Sequence, residues 1–89
     1  MKAVVFYESG STPMEAFQAV FPRHKVVFEA FAARGEVLGI GTFEGGRDGS
    51  MAIFKDRASA EAFVKQDPFV LEGLVGKHTI KDWNDTMLG

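Results

Sequence analysis

Two side chains in this 89-residue sequence have the chemistry of a general-base pair, an imidazole and a carboxylate. His24 lies in the segment Phe-Pro-Arg-His-Lys-Val-Val-Phe (21–28), and Asp67 opens the segment Asp-Pro-Phe-Val-Leu-Glu-Gly (67–73). A neutral imidazole accepts a proton, and a carboxylate that holds one ring nitrogen fixes the tautomer of the ring. Whether the two side chains meet decides between a catalytic pair and two structural residues.

His24 is expected to point into the protein. On a helix that begins near Pro22, it shares a face with Val27, Phe28 and Phe31, at spacings of three, four and seven residues. A place in the first helical turn would also disfavour a positive imidazolium, because the helix dipole is positive there. A neutral, partly buried imidazole is suited to general-base catalysis. A core histidine that donates to a backbone carbonyl is the alternative that the sequence leaves open.

Asp67 also has two interpretations. Aspartate before proline is a common N-cap arrangement, in which the carboxylate accepts backbone N–H bonds of the next helical turn. The functional interpretation is that this carboxylate orients the imidazole or binds a polar group of a substrate. The two roles are compatible, because a carboxylate has two oxygens to share.

Tyr7 and two glycines are further candidates for a binding site. Tyr7 ends the first predicted strand, where its hydroxyl either reaches the same cavity or is simply hydrated. Gly39 and Gly41 fall on one face of a single strand, and glycine weakens a strand interior. Close approach by a helix, a bulge or a ligand would each account for them, so helix packing and a pocket wall both remain open.

Other signals do not indicate function. The segment Gly-Gly-Arg-Asp-Gly (45–49) is a hairpin connection without the strand-to-helix context of a phosphate-binding loop. His78 and His24 lack metal-ligand spacing, so no metal site is expected, and His78 is expected to face solvent. RNA-binding domains share the predicted element order, but the strand at 49–54 lacks their basic residue and stacking aromatics. A net charge of −2 likewise gives no basis for binding nucleic acid or an anionic membrane.

The elements that position these residues follow from hydrophobic periodicity and turn residues. Strands are predicted at 2–8, 36–44, 49–55 and 77–83, and helices at 14–20, at 22–34 and from the Asp56 cap to about 66. A short helical turn begins at Asp67–Pro68 and ends at Gly73. Because Pro22 lacks an N–H, it is placed at the start of a second helix. The order βαββαβ predicts an α+β ferredoxin-like plait with both helices on one face of an antiparallel sheet.

The helix ends carry their own signals. Thr12 and Glu15 fit a capping box around Pro13, and Gly35 is the expected C-terminal cap of the main helix. The tail from 84 to 89 is expected to fray.

Length and composition limit the class of protein. One domain over 1–89 is expected from the length. The absence of cysteine excludes a thiol nucleophile, a thiolate metal site and a disulfide framework. No apolar run approaches the roughly 18 residues that span a bilayer, and the apolar start alternates into Glu8 like a strand. We therefore expect a soluble, cytoplasmic protein without a membrane partner.

The strands are apolar on both alternating sides, at 3–7, 37–43 and 51–54. The sheet face that no helix covers should be polar if it met water. The sequence therefore predicts a homodimer in which two sheets stack face to face, a prediction that agrees with 46% hydrophobic residues and nine phenylalanines. A small domain that exposes some hydrophobic side chains is the alternative.

The chain resembles the YCII-related (YciI-like) family over nearly its whole length. The resemblance is carried by Pro22-x-His24 with Phe31 and Gly35, Leu38-x-Ile40-Gly41-Thr42-Phe43, Gly49-Ser-Met-Ala-Ile-Phe54, Ala60-Glu-Ala-Phe63, Asp67-Pro68-Phe69 and Trp83. The part of the chain from the helix that follows Asp56 to the Asp-Pro-Phe segment (67–69) is the most specific. One departure is Gly41-Thr42 with a short glycine hairpin, where many relatives have Gly-Pro and a longer loop containing aspartate. Pocket shape and substrate are therefore not carried over.

The resemblance implies a dimeric α/β barrel with an active site of one histidine and one aspartate, which map onto His24 and Asp67. Relatives include proteins assigned to dehydrochlorination of chlorinated hydroxyquinols, and muconolactone isomerases and cofactor-free monooxygenases share the fold. The leading hypothesis is a small cofactor-independent lyase or isomerase acting on an aromatic or enol-type molecule, with Tyr7, Gly41 and Phe69 binding substrate. A non-catalytic, metabolite-binding or regulatory homodimer is the main alternative, and a structural dimer without ligand is a third.

Overall fold

The computed structural model describes residues 1–45 and 48–88. Its elements are β1 (Lys2–Glu8), α1 (Met14–Ala33), β2 (Val37–Thr42), β3 (Ser50–Phe54), α2 (Arg57–Gln66), α3 (Pro68–Leu71) and β4 (Lys77–Trp83). The predicted α+β order is confirmed, and the ends of β2 and β3 differ from the prediction by one or two residues. Gly46 and Arg47 of the predicted hairpin, and Gly89 of the tail, lie outside the described residues.

The four strands form one antiparallel sheet in the order β2-β3-β1-β4. This is the strand order of the ferredoxin-like plait, with β1 and β3 in the centre. Alternation along β1 directs Ala3, Val5 and Tyr7 into the core beneath the helices. There they pack with Phe31 of α1 and Phe63 of α2, both almost fully buried. The sheet therefore has one face built for helices.

Helix α1 runs without a break from Met14 to Ala33, with Pro22 inside it. The prediction of separate helices at 14–20 and 22–34 is wrong. A proline in a helix interior typically costs about 3 kcal/mol, because a hydrogen bond is lost and the ring crowds the preceding turn. However, the buried stripe continues across the proline from Val20 to His24 and Phe31, and burial on both sides maintains one helix. His24 consequently lies near the middle of α1, so the expected effect of a first-turn dipole does not apply.

The start of α1 also differs from the prediction. Pro13 occupies the N-cap position and no side chain caps the helix, so the capping box of Thr12 and Glu15 is wrong. The Thr12 hydroxyl instead donates to the carbonyl oxygen of Leu74 at 2.7 Å. That bond connects the loop before α1 to the loop before β4, at the same end of the molecule.

The other predicted caps are confirmed. Gly35 has a φ of +73°, its N–H donates to the Ala32 carbonyl, and the Glu36 N–H donates to the Phe31 carbonyl. These two bonds complete a Schellman motif at the end of α1. Asp56 caps α2 by accepting the Ser59 N–H at 2.8 Å.

The sheet face opposite the helices is apolar. Val4 and Phe6 of β1 lie on it, paired with Ile53 and Met51 of β3. Gly39 and Gly41 pair with the same two β3 residues, and a Cβ at either glycine would meet nothing within 4 Å. Close approach by a helix of the same chain is therefore not the reason for these glycines. Among the described residues, no helix is long and apolar enough to cross a bilayer.

Candidate active site

His24 and Asp67 are in direct contact. The His24 Nδ1 atom lies 2.7 Å from Asp67 Oδ1, and the two residues are only 6% and 0% exposed. Helix α1 presents His24 on its buried face, while the junction between α2 and α3 places Asp67 beneath it. The two positions are 43 residues apart in the chain, so tertiary packing brings them together.

The Asp67 carboxylate accepts three hydrogen bonds. Besides the His24 contact, Oδ1 accepts the Phe69 N–H at 3.1 Å, and Oδ2 accepts the Tyr7 hydroxyl at 2.8 Å. The Phe69 bond is the predicted N-cap of α3, so Asp67 caps a helix and contacts the imidazole at once. A buried carboxylate is costly unless it is paired and hydrogen-bonded, and these bonds fix its orientation.

Tyr7 donates its hydroxyl proton in a hydrogen bond to Asp67, so this hydroxyl is already committed within the site. Burial first, and then the negative charge and hydrogen bond of Asp67, raise the pKa of the Tyr7 hydroxyl well above its ordinary value of 10.0. The group thus remains a neutral donor to Asp67. Strand alternation indicates the face on which Tyr7 lies, but it gives no information about a partner 60 residues away.

Four phenyl rings surround the imidazole. The Phe69 ring stacks on it, with a centroid distance of 4.0 Å and an interplanar angle of 10°. Phe28, Phe21 and Phe63 approach it with centroid distances of 5.2, 5.8 and 6.1 Å. Because Phe69 follows Asp67 by two residues, one turn supplies both the carboxylate and the stacked ring. The stacked Phe69 ring and the Asp67 contact fix the ring plane, and Nε2 is the nitrogen left for a ligand.

A cavity of about 320 Å³ adjoins this histidine. Its wall is largely aromatic and aliphatic, with polar groups from α1 and from the sheet. It is lined by Tyr7, Glu8, Ser9, Met14, Phe17, Gln18, Phe21, His24, Phe28, Ile40, Gly41, Thr42, Gly49, Ser50, Phe69 and Val75. The sequence-predicted residues Tyr7, His24, Gly41 and Phe69 are all in this wall, whereas Asp67 lies behind it.

Sequence reasoning missed most of the helical wall. Met14, Phe17 and Gln18 line the cavity because they continue the His24 face towards the start of α1, at helical spacing. The signal was present in the sequence, but the assumed break at Pro22 separated these residues from His24. Ser50 and Thr42 of the sheet were also missed, since neither has a distinctive local motif.

The second histidine has a different environment. His78 is exposed on β4, as predicted. A search of the described residues finds no group of three or more histidine or acidic side chains placed to hold a metal ion.

Solved structures with this fold include two named proteins. The 5-chloro-2-hydroxyhydroquinone dehydrochlorinase TftG from Burkholderia phenoliruptrix AC1100, in complex with 2,5-dihydroxybenzoquinone, aligns with a TM-score of 0.73 and 21% identity over 97% of this chain and 96% of TftG. SnoaB, a cofactor-independent oxygenase from Streptomyces nogalater, aligns with a TM-score of 0.52 and 21% identity over 99% of this chain and 96% of SnoaB. These two likenesses establish the ferredoxin-like α+β fold of the chain. No protein-family profile and no curated protein matches the sequence.

Proposed function

We propose that this protein is a small cofactor-independent enzyme of the YciI-like kind, in which His24 and Asp67 transfer a proton of a compact aromatic or enol-type substrate. The reaction is a lyase or isomerase step. The observation that carries the proposal is the 2.7 Å contact between His24 Nδ1 and Asp67 Oδ1 beside an aromatic cavity.

The contact supports a division of roles between the two side chains. When Asp67 Oδ1 accepts a hydrogen bond from the Nδ1–H group, the neutral ring of His24 has its lone pair on Nε2. Nε2 has no hydrogen-bond partner among the described residues, and none of their buried side-chain nitrogens or oxygens lacks a partner. Nε2 therefore has access to the cavity. It can accept a proton there, while Asp67 compensates the charge of the imidazolium that forms.

The proton transfer balances without another reactant. A substrate C–H or O–H bond breaks, an Nε2–H bond forms, and the electron pair stays on the substrate as an enolate or aryloxide. Returning the proton to another carbon completes an isomerisation. Expulsion of a leaving group by the electron pair completes an elimination.

The cavity supports a small, flat substrate. Its volume is at the lower end of the range for small-molecule sites, and the rings of Phe17, Phe21 and Phe69 offer stacking surfaces. The structural neighbour TftG is by name a dehydrochlorinase of 5-chloro-2-hydroxyhydroquinone and binds 2,5-dihydroxybenzoquinone, which supports the substrate class as an analogy of fold.

The test measures proton exchange directly. The probe is 2,5-dihydroxybenzoquinone in D₂O. Its ring positions exchange when a deuteron adds to an enol carbon and the original proton is then removed from that carbon, and proton NMR follows the deuterium incorporation. His24→Ala should reduce the catalysed exchange by about 10²-fold or more, because the base is removed. His78→Ala is the matched control, since it removes the only other histidine from an exposed site.

An unchanged exchange rate in His24→Ala would contradict the proposed role of the imidazole. Saturable binding of the probe without any catalysed exchange would support the alternative, a metabolite-binding or regulatory protein.

The apolar sheet face supports a second part of the proposal, that two copies associate as a homodimer with their sheets face to face. Phe6 and Met51 are half-buried there, and Leu38, next to the bulge in β2, is 50% exposed. The open space above Gly39 and Gly41 would let the backbone of a second sheet approach closely.

A further inference from the structure

We propose that Ser50 and Thr42 form a second polar subsite of the cavity, which binds a substrate oxygen other than the group that meets His24. The inference rests on the proposed function and specifies its substrate class. The ligand would be a ring that carries two oxygens, such as a dihydroxylated arene or a hydroxyquinone.

The two side chains are neighbours on the sheet. Thr42 of β2 pairs with Ser50 of β3, and Ser50 pairs in turn with Tyr7 of β1, so the three residues form a row across the helix-facing side. The Phe43 N–H donates to the Gly49 carbonyl at 2.9 Å. The adjacent pair of Thr42 and Ser50 is therefore of the non-hydrogen-bonded type, with Cβ atoms about 4.5–5.5 Å apart.

Neither hydroxyl has a hydrogen-bond partner among the described residues. Cross-strand serine and threonine often bond to each other, yet no hydrogen bond within residues 1–45 and 48–88 uses either side chain. Ser50 is half-buried, and no buried polar atom in those ranges lacks a partner, so its hydroxyl is accessible in the cavity that it lines. Thr42 is exposed and lines the same cavity. Two hydroxyls side by side can donate to a carbonyl oxygen or accept from a phenol.

The position of Ser50 is set by the backbone. Gly49 is buried with a φ of +87°, and a Cβ there would lie 1.8 Å from the Tyr7 carbonyl oxygen. The start of β3 is thus held directly against the end of β1. A subsite built on strands in this way needs little rearrangement when a ligand binds.

Apolar side chains line much of the cavity that His24 and Ser50 share. Ile40, Phe21 and Phe69 line the same cavity as His24 and Ser50, and the Tyr7 hydroxyl is already bonded to Asp67. A substrate with a single oxygen would leave the hydroxyl pair without a ligand partner. A substrate with two oxygens satisfies both the imidazole and the hydroxyl pair, which makes the pair a determinant of specificity.

The test compares binding of phenol and 1,4-dihydroxybenzene, titrated under nitrogen and followed by amide NMR shifts. The wild-type protein should bind the diol about tenfold more tightly, the order of magnitude expected for one additional hydrogen bond. The double variant Ser50→Ala with Thr42→Val should bind the two probes within about twofold of each other, with phenol affinity unchanged. The single variants should each lose part of the preference.

Thr79→Val is the matched control. Thr79 pairs with Phe6, and therefore lies on the opposite face of the sheet, outside the cavity. This control should keep the tenfold preference, and circular dichroism melting curves show that each variant is folded.

A preference that persists in the double variant, or a wild-type protein that binds the two probes equally or binds neither, would overturn the subsite. Failure of the proposed function gives a different pattern. In that case the diol preference depends on Ser50 and Thr42, but no deuterium exchange is catalysed.

Discussion

Asp67 has the most demanding environment of any single residue. It has no solvent exposure, yet its carboxylate takes donors from three elements: His24 of α1, Tyr7 of β1 and the Phe69 N–H of α3. Removing one partner of a buried charge typically costs more than the net value of the bond, because the other partner remains desolvated. The carboxylate therefore couples the geometry of the candidate site to the stability of the fold.

Tyr7→Phe tests this coupling. The change keeps the ring but leaves Asp67 Oδ2 without its donor, so the free energy of unfolding should fall by about 1–3 kcal/mol. Urea denaturation at pH 8 measures the loss. An unchanged free energy of unfolding would mean that water or another donor replaces the tyrosine hydroxyl at no cost.

The same residue gives the stability a pH dependence. The pKa of Tyr7 is raised in the folded protein above its ordinary value of 10.0. Its contribution is therefore complete below pH 10 and is lost as the pH rises further, because only the unfolded chain releases the proton. The wild-type free energy of unfolding should fall relative to that of Tyr7→Phe by up to about 1.4 kcal/mol per pH unit. Tyr7 is the only tyrosine, so tyrosinate absorbance reports it alone and should appear only on unfolding.

At the scale of elements, the β2–β3 hairpin has one position that sets its approach to β1. Gly49 and Gly45 both have positive φ, +87° and +84°. A Cβ at Gly49 would lie 1.8 Å from the Tyr7 carbonyl oxygen, whereas a Cβ at Gly45 would meet no atom of the described residues within 4 Å. The two glycines thus share the backbone requirement but differ in steric surroundings.

Gly49→Ala should be strongly destabilising, because the hairpin must move away from β1. Gly45→Ala should cost only about 1–2 kcal/mol, the ordinary penalty of a left-handed conformation for an L-residue. Thermal melting of both variants measures the difference. Equal losses would show that the contact with Tyr7 relaxes freely, and the strand-held position of Ser50 would then lose its support.

The residues of α1 were correctly predicted to be helical, but the prediction wrongly divided them into two helices. Pro22 is a valid signal for a helix break, since its local cost is about 3 kcal/mol. The burial of Val20 before it and of His24 and Phe31 after it lies along one face and outweighs that cost. Local sequence rules give the cost of Pro22 but not the stabilisation from burying one face of α1. That stabilisation depends on how much surface of the sheet and of α3 the helix covers.

At the scale of the whole molecule, the main feature is the sheet face that no helix covers, because several of its apolar side chains are only partly buried. Lys81 lies over the Phe6 ring at 5.6 Å and covers part of it, but Trp83 remains 37% exposed and Ile53 lies at the centre of the face. Such a face is consistent with the proposed homodimer, in which burial of apolar surface drives association.

Ile53→Lys should convert the proposed dimer to a monomer, because a charge would be buried between the sheets. Light scattering after size-exclusion chromatography measures the mass. Leu71→Lys is the control, since Leu71 is a 66% exposed apolar residue on α3, away from the sheet, and this variant should remain dimeric. A wild-type monomer at micromolar concentration would contradict the proposal.

The sequence by itself determined the element order, the βαββαβ fold class, the caps at Gly35, Asp56 and Asp67 and the inward orientation of His24. These features depend on residues close together in the chain, through periodicity, turn chemistry and capping. Tertiary structure decided that α1 is continuous, that Tyr7 donates to Asp67, and that His24 meets Asp67 beside a cavity that Ser50 and Thr42 line. These contacts join residues on different elements, and their formation depends on the packing of the whole chain.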